Sequence, residues 1–208
     1  MSAAAVRVAE ALGHRRWSVL GHSLGGFVAL DIAATRPDAT VGVGLVSGTG
    51  GAVVDAIRRP LRGGLRLPWF AGMLLAMRAL ALLGPVGHGI LRLLHAIRLL
   101  GPLSAPLFAD RRSLHPSVTA ALADEIRPVA FVRAARAAGR YDLDTWRAIA
   151  CPVRSVVGER DVFVGPGDAA AFASRIRDFA AVRIQGAGHF AAIEQPAAVL
   201  QALRPIPA

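Results

Sequence analysis

The pentapeptide Gly21–Gly25 reads Gly-His-Ser-Leu-Gly and places a serine between two glycines. It matches G-x-S-x-G, a sharp turn between a strand and a helix that lifts the serine hydroxyl clear of a sheet. Larger side chains at the glycine positions are expected to clash with neighbours in such a turn. The pattern indicates Ser23 as a nucleophile. It also indicates the Leu24 N–H as a donor to the oxyanion that develops on an attacked carbonyl.

A serine hydroxyl needs a base to take its proton, and the base needs an acid to orient it. Asp161 lies four residues beyond the predicted strand Val153–Val157, and His189 lies five residues beyond the predicted strand Ala181–Ile184. The carboxyl ends of parallel strands meet at one edge of a sheet, so both side chains should lie beside Ser23. Glu159 is the alternative acid, disfavoured because it lies closer to the strand end.

Strands and helices alternate outside the middle of the chain, which favours a parallel sheet of βαβ units and an α/β fold. The four strands should lie in chain order, with the strand before Ser23 at an open edge and helices on both faces. The remaining predicted strands are Trp17–Leu20 and Val41–Val46, and the predicted helices are Ala3–Leu12, Phe27–Thr35, Ala169–Phe179 and Ala191–Leu203.

Residues 51–144, here called the helical insertion, differ in character from the rest of the chain. Helical spacing predicts helices at Trp69–Leu82, Ile90–Leu100 and Ser117–Ala138, with no strand between them. Residues 56–109 contain seven arginines and no acidic residue. We expect the insertion to form a helical cap or lid over an apolar substrate pocket, on a core made of residues 1–50 and 145–208. Contact of this cap with anionic lipid is the less favoured interpretation.

The sequence resembles the α/β-hydrolase superfamily, and within it the capped esterase and lipase-like members. The motifs that carry the likeness are Gly21–Gly26, Gly158–Asp161 and Gly188–Phe190, followed by Glu194 and Pro196. The resemblance implies acyl transfer to water on a small, apolar, ester-like substrate, with no metal or organic cofactor. A serine at the turn disfavours epoxide hydrolysis and dehalogenation, whereas carbon–carbon bond hydrolysis, lactone opening and perhydrolysis remain alternatives.

Two features depart from that family. Its members have strands before the nucleophile turn, and the loop after the third strand supplies a second oxyanion donor. This chain begins at what resembles the helix just before the turn, so we expect those strands and that donor to be absent. A truncated, catalytically impaired or non-catalytic remnant is therefore an alternative. The second departure is Arg154, which lies in a strand where the family usually has an aliphatic residue. Burying an arginine there is costly unless it is paired.

Composition excludes several other classes. The net charge is +10, but all 24 basic residues are arginines spread along the chain, and aromatic residues make up 6%. Without a nucleic-acid-binding motif, this does not indicate a nucleic-acid partner. The single cysteine, Cys151, excludes an intrachain disulfide. His88 and His95 lack the carboxylate or third ligand that a metal site would need.

Targeting signals are also not apparent in the sequence. Residues 1–17 contain no uninterrupted apolar stretch of the kind found in signal peptides. The longest apolar run between arginines, residues 79–91, is too short to span a bilayer and contains a Gly-Pro pair. We therefore expect a cytoplasmic protein without a transmembrane segment.

Overall fold

A four-stranded parallel sheet forms the centre of the computed structural model, which describes residues 1–204 and 206. The strands are β1 (Trp17–His22), β2 (Thr40–Val46), β3 (Val153–Gly158) and β4 (Phe179–Ile184). They lie in the order β1-β2-β3-β4, which confirms the predicted arrangement. Within the described residues, β1 pairs with β2 alone, and Leu20 on this edge is 67% exposed.

Helices α1 (Ser2–Ala11) and α2 (Gly25–Thr35) precede the insertion. Helix α2 packs on β1 and β2 and also contacts the short 3-10 helix at Leu143–Ala148. Its residues Phe27 and Leu30 join the largest apolar core, which includes the fully buried Trp146. This core fixes the position of α2, and therefore of the turn that leads into it from β1.

The helical insertion contains helices and connecting segments and, among its described residues, no strand, as predicted. Its helices are α3 (Gly51–Arg58), α4 (Pro60–Arg66), α5 (Pro68–Leu82), α6 (Pro85–Ala96), α7 (Leu100–Leu103), α8 (Pro116–Glu125) and α9 (Pro128–Arg140). Short 3-10 helices lie at Ala105–Leu107 and Arg111–Ser113. No helix in the described part of the chain has the length and apolar character needed to cross a bilayer.

Proline determines where several of these helices begin. Five helices of the insertion start with proline, which lacks the N–H that a helix interior requires but fits the first helical position. The prediction of one helix at Ser117–Ala138 is therefore wrong, because the chain breaks before Pro128 into α8 and α9. The predicted helix Ile90–Leu100 begins earlier, at Pro85, and ends at Ala96.

Three short helices follow the insertion: α10 (Asp168–Ala173), α11 (Ala191–Glu194) and α12 (Pro196–Leu203). The predicted helix Ala169–Phe179 extends too far, since Phe179 already opens β4, and Pro196 divides the predicted helix Ala191–Leu203. Helix α12 packs with Val46, while α2 packs with Leu45. Successive strand residues point to opposite faces, so helices cover both faces of the sheet, as predicted.

The Arg154 side chain, only 20% exposed, has a partner. Its guanidinium lies 2.7 Å from Asp178 Oδ1 and also donates to the Val153 carbonyl. Pairing offsets the cost of placing this charge in the sheet.

Candidate active site

Ser23 lies in the turn between the end of β1 and the start of α2. Its φ is +52°, in the left-handed region that residues with a side chain seldom adopt. The Ser23 N–H donates to Val46 O at 3.1 Å, and its carbonyl accepts from Gly26 N at 3.0 Å. The strained backbone is thus held by the neighbouring strand and by the helix that follows. The half-buried serine lies at the carboxyl end of the sheet.

The two glycines of the pentapeptide differ in how strictly they are required. A Cβ on Gly21 would lie 2.7 Å from Gly25 O and 2.9 Å from Ala29 Cβ, so no side chain fits there. A Cβ on Gly25 would meet no atom within 4 Å. The expectation of a steric clash is therefore wrong for Gly25, because that position faces open space rather than β1.

The structure brings Ser23, His189 and Asp161 together through hydrogen bonds. His189 Nε2 lies 2.9 Å from Ser23 Oγ, and His189 Nδ1 lies 3.0 Å from both carboxylate oxygens of Asp161. The side chains of His189 and Asp161 are 3% and 0% exposed. The alternative acid, Glu159, instead accepts a hydrogen bond from Gly186 N and makes none to His189.

The charge on Asp161 determines which nitrogen of His189 carries the proton. Burial alone would raise the pKa of the Asp161 carboxyl, but the hydrogen bond and charge of His189 and the Phe163 N–H together hold it below its ordinary value. An ionised carboxylate can only accept hydrogen bonds, so the ring proton stays on Nδ1 and donates to Asp161. Nε2 is then left to accept a hydrogen bond from the Ser23 hydroxyl. The arrangement can therefore take a proton from the serine as it attacks a carbonyl.

Ser47 is a further neighbour of this carboxylate that sequence reasoning missed. It follows β2 with a φ of +50°, and it is completely buried. Its hydroxyl makes no hydrogen bond of ordinary geometry within the described structure, yet it lies near enough to contribute to lowering the pKa of Asp161. Its N–H donates to Val156 O at 2.7 Å, which holds it at the end of the sheet, and no motif in the sequence marks this position.

Leu24 occupies the N-cap position of α2. No described residue accepts a hydrogen bond from its N–H, which belongs to the first, unpaired turn of the helix. The positive end of the helix dipole lies here and favours a developing negative charge. The Leu24 N–H is thus free to donate to a substrate oxygen.

An apolar cluster surrounds this end of the sheet. Val53, Phe70 and Ala135 contribute to it from three helices of the insertion, and Phe163 joins it from the loop that carries Asp161. Leu24 packs against the same cluster. The Phe163 ring lies 4.8 Å from the His189 ring, so His189 borders apolar surroundings.

The loop that carries His189 is fastened to the insertion by Glu194. One carboxylate oxygen of Glu194 accepts from Ala109 N at 2.6 Å and Asp110 N at 3.1 Å, and the other accepts from Gly188 N at 2.6 Å. The backbone N–H of His189 donates to Leu107 O at 3.0 Å. Glu194 therefore connects a segment of the insertion, residues 107–110, to the loop that contains His189.

Close packing reinforces this fastening. A Cβ on Gly188 would lie 2.7 Å from Ala109 N, so only glycine allows the two segments to approach so closely. Phe108, which is 7% exposed, stacks on Phe190 with ring centroids 5.3 Å apart. The motif that contains Glu194 was visible in the sequence, but its contacts to residues 109 and 110 were not.

His22, the last residue of β1, lies behind His189 with the two ring centroids 5.0 Å apart. Its Nε2 donates to His189 O at 3.0 Å, and its ring lies 4.8 Å from Phe190. Burial lowers the pKa of His22 despite the opposing hydrogen bond to His189 O. The lowered pKa favours the neutral form of His22, and in that form its ring supports the loop that contains His189.

Comparison with known proteins agrees with this architecture. Residues 2–202 match the model of the alpha/beta hydrolase family, and no curated protein sequence matches significantly. Cfl2 from Burkholderia cenocepacia is similar with a TM-score of 0.71 at 20% identity, covering 98% of this chain and 69% of that one. An esterase from Exiguobacterium antarcticum has a TM-score of 0.65 at 14% identity, covering 98% and 70%.

A third similar structure is a serine hydrolase from Cycloclasticus zankles. Its TM-score is 0.62 at 16% identity, and the match covers 95% of this chain and 66% of that one. The chain therefore spans 66–70% of the length of these three structures. At such identities the likeness shows a shared fold.

Proposed function

We propose that this chain, which belongs to the alpha/beta hydrolase family, hydrolyses a carboxylic ester of an apolar small molecule with Ser23 as its nucleophile. Hydrolase activity follows from the family, and the proposal concerns the bond, the substrate and the residues. The observation that carries it is the continuous set of hydrogen bonds from Ser23 Oγ through His189 to Asp161.

In the proposed reaction, Ser23 Oγ attacks the ester carbonyl carbon while His189 Nε2 takes its proton. Asp161 keeps the ring in the required tautomer and stabilises the imidazolium that forms. The Leu24 N–H donates to the oxyanion. The carbon–oxygen bond of the leaving group breaks, and His189 returns the proton to the departing alcohol. A water molecule, deprotonated by His189, then hydrolyses the acyl-enzyme and releases the acid and Ser23.

The preference for an apolar substrate rests on the cluster that joins the insertion to the site. Leu24 and Phe163 belong to this cluster together with side chains of α3, α5 and α9. We assign the helical insertion as a cap on this end of the sheet, with residues 1–50 and 145–208 as the core. Carbon–carbon bond hydrolysis, lactone opening and perhydrolysis use the same nucleophile and would be separated by a substrate panel.

A fluorophosphonate reagent tests the nucleophile without assuming a substrate, because it forms a covalent adduct with an activated serine. Intact-mass measurement should show one adduct on the wild-type chain and on the control Ser174→Ala, an exposed serine remote from the hydrogen-bonded set. Ser23→Ala should show none. Asp161→Asn should react more slowly by a factor on the order of 10⁴, the loss that such a substitution causes in a serine protease.

Hydrolysis of nitrophenyl esters of increasing chain length then tests the substrate class. Turnover that depends on Ser23 and rises with chain length supports an apolar ester substrate. An unlabelled wild-type chain would contradict the assignment of Ser23, and would favour a non-catalytic or impaired remnant. Labelling without ester hydrolysis would support Ser23 as the nucleophile and would favour carbon–carbon bond hydrolysis, lactone opening or perhydrolysis as the reaction.

A further inference from the structure

Large apolar side chains are exposed along the outside of the insertion. Between residues 61 and 103, eleven of them are exposed: Leu61, Leu65, Trp69, Leu75, Leu82, Leu83, Val86, Leu93, Ile97, Leu99 and Leu103. We call this set the outer apolar surface. Leu61, Leu65 and Leu82 are 87%, 84% and 89% exposed, whereas a soluble protein usually scatters such residues singly.

The spacing of these residues follows helical periodicity. Leu61 and Leu65 are four residues apart on α4, Leu75 and Leu82 are seven apart on α5, and Val86 and Leu93 are seven apart on α6. Each pair therefore lies on one side of its helix. Helix α5 packs against both α4 and α6, so the three helices form a continuous layer. The opposite sides carry buried residues such as Phe70 and Leu91.

The charge of this layer is of one sign. Residues 56–109 contain seven arginines and no acidic residue. Asp55 and Asp124, outside that range, pair with Arg59, Arg66 and Arg92. The exposed arginines that form no ion pair with a described residue include Arg62, Arg78 and Arg98. The layer thus presents apolar side chains and unneutralised positive charge together.

From this combination we propose that the outer apolar surface docks on the face of an anionic lipid bilayer. Apolar side chains enter the boundary between headgroups and acyl chains, while arginines contact lipid phosphates. The described helices are too short to span the membrane and would lie in its plane. A nucleic acid would satisfy the arginines but would leave the leucines in water. A second copy of the chain would bring arginines against arginines.

Vesicle sedimentation tests this with the full chain. Binding should be clear on phosphatidylcholine vesicles that contain phosphatidylglycerol, weaker on phosphatidylcholine alone, and reduced by salt, because added ions screen the attraction. Absence of binding to the anionic vesicles would overturn the proposal. The assay requires no catalysis, and Ser23→Ala should bind as the wild type does. Its outcome is therefore separate from that of the proposed hydrolysis.

Two triple variants separate the apolar and the electrostatic contributions. One combines Leu65→Gln, Leu75→Gln and Leu82→Gln; the other combines Arg62→Gln, Arg78→Gln and Arg98→Gln. Each arginine near an anionic surface strengthens binding roughly fivefold, so losing three should weaken it by about 100-fold. The leucine variant should weaken binding at least as strongly. Circular dichroism should show both variants folded, since the replaced side chains are exposed.

Matched control variants carry the same changes elsewhere. They combine Val8→Gln, Leu12→Gln and Leu200→Gln, or Arg7→Gln, Arg15→Gln and Arg16→Gln, all at exposed positions. These controls should bind vesicles as the wild type does. Equal losses in a control and in the matching insertion variant would overturn the proposed surface. If the leucine variant alone retained full binding, the surface would be a general polyanion site, and the proposal would be wrong.

Trp69 supplies a direct readout at the surface. It is 53% exposed on α5, whereas Trp146 is fully buried and Trp17 is half-buried. Tryptophan emission should shift to shorter wavelength on anionic vesicles, and Trp69→Phe should remove that shift while binding persists. An unchanged spectrum would contradict insertion of this helix. Conversion of a wild-type dimer to a monomer by the leucine variant would assign the surface to a second copy and overturn the proposal.

Discussion

Removal of the Glu194 carboxylate should loosen the connection between the insertion and the base. Glu194 accepts hydrogen bonds from Ala109 N, Asp110 N and Gly188 N, and two of the three distances are 2.6 Å. Glu194→Ala removes all three bonds and leaves these backbone N–H groups to find other acceptors. Glu194→Gln keeps one oxygen but directs an NH₂ group towards backbone donors.

The magnitude follows from the number of bonds and the burial of the side chain. A hydrogen bond to a charged acceptor contributes about 1.5–3 kcal/mol, and solvent screening at the half-buried Glu194 reduces this to about 1 kcal/mol each. Glu194→Ala should therefore lower the free energy of unfolding by about 3 kcal/mol, and Glu194→Gln by about 1–2 kcal/mol. For a chain of this size, the larger loss corresponds to about 6–12 °C in the midpoint of thermal unfolding.

The assay combines thermal unfolding with hydrogen exchange of residues 107–110. Glu159→Ala is the matched control, because the exposed Glu159 accepts a single bond of 3.2 Å from Gly186 N, and its loss should stay below about 1 kcal/mol. Exchange of the Ala109 and Asp110 amides should accelerate in Glu194→Ala and not in the control. Equal destabilisation by the two variants, or unchanged exchange at residues 107–110, would refute this role for Glu194.

Two further predictions concern the turn around Ser23 and the pH dependence of stability. Urea unfolding should show that Gly21→Ala destabilises the fold by about 1–3 kcal/mol, because its Cβ would overlap Gly25 O. The control Gly25→Ala should change the free energy of unfolding by less than about 1 kcal/mol. Similar losses in the two variants would contradict the close approach of β1 to α2. Burial lowers the pKa of His22 in the folded state, so the unfolded chain binds more protons as the pH decreases through about 6.5. The free energy of unfolding should therefore decrease as the pH decreases in that range. His22→Gln should flatten this dependence between about pH 7.5 and 5.5, with the exposed His14→Gln as control; an unchanged slope would show that other groups produce it.

The sequence was sufficient to predict the parallel sheet and the proximity of Ser23, Asp161 and His189, and the reason is physical. Short apolar runs between helical segments indicate buried parallel strands, and their carboxyl ends must share an edge. Two residues placed shortly after such strands therefore meet, even though 28 residues separate Asp161 from His189. The strict requirement at Gly21 also follows from local turn geometry.

Features that depend on packing between residues distant in sequence could not be predicted in the same way. Helix α4 contains Gly63 and Gly64, which disfavour helix, and no periodic pattern predicted it. A Cβ on Gly63 would lie 2.6 Å from the Ala56 backbone, so the contact with α3 explains the glycine. The division of the predicted helix Ala191–Leu203 has a different cause. Pro196 is a local signal for a helix start, but the apolar residues continue at helical spacing on both sides of it and favoured a single helix.

The two reacting side chains of the proposed site are supported by different parts of the molecule. Ser23 is held by the sheet, through the bond from its N–H to Val46 O. His189 is held by the insertion, through Leu107 O and the bonds that Glu194 makes to Ala109 N and Gly188 N, and also by His22 of β1, which donates to His189 O. Changes that displace Val46 should therefore act on the proposed chemistry through the nucleophile. Changes at the Leu107 and Ala109 contacts of the insertion, or at His22, should act instead through His189, the proposed base.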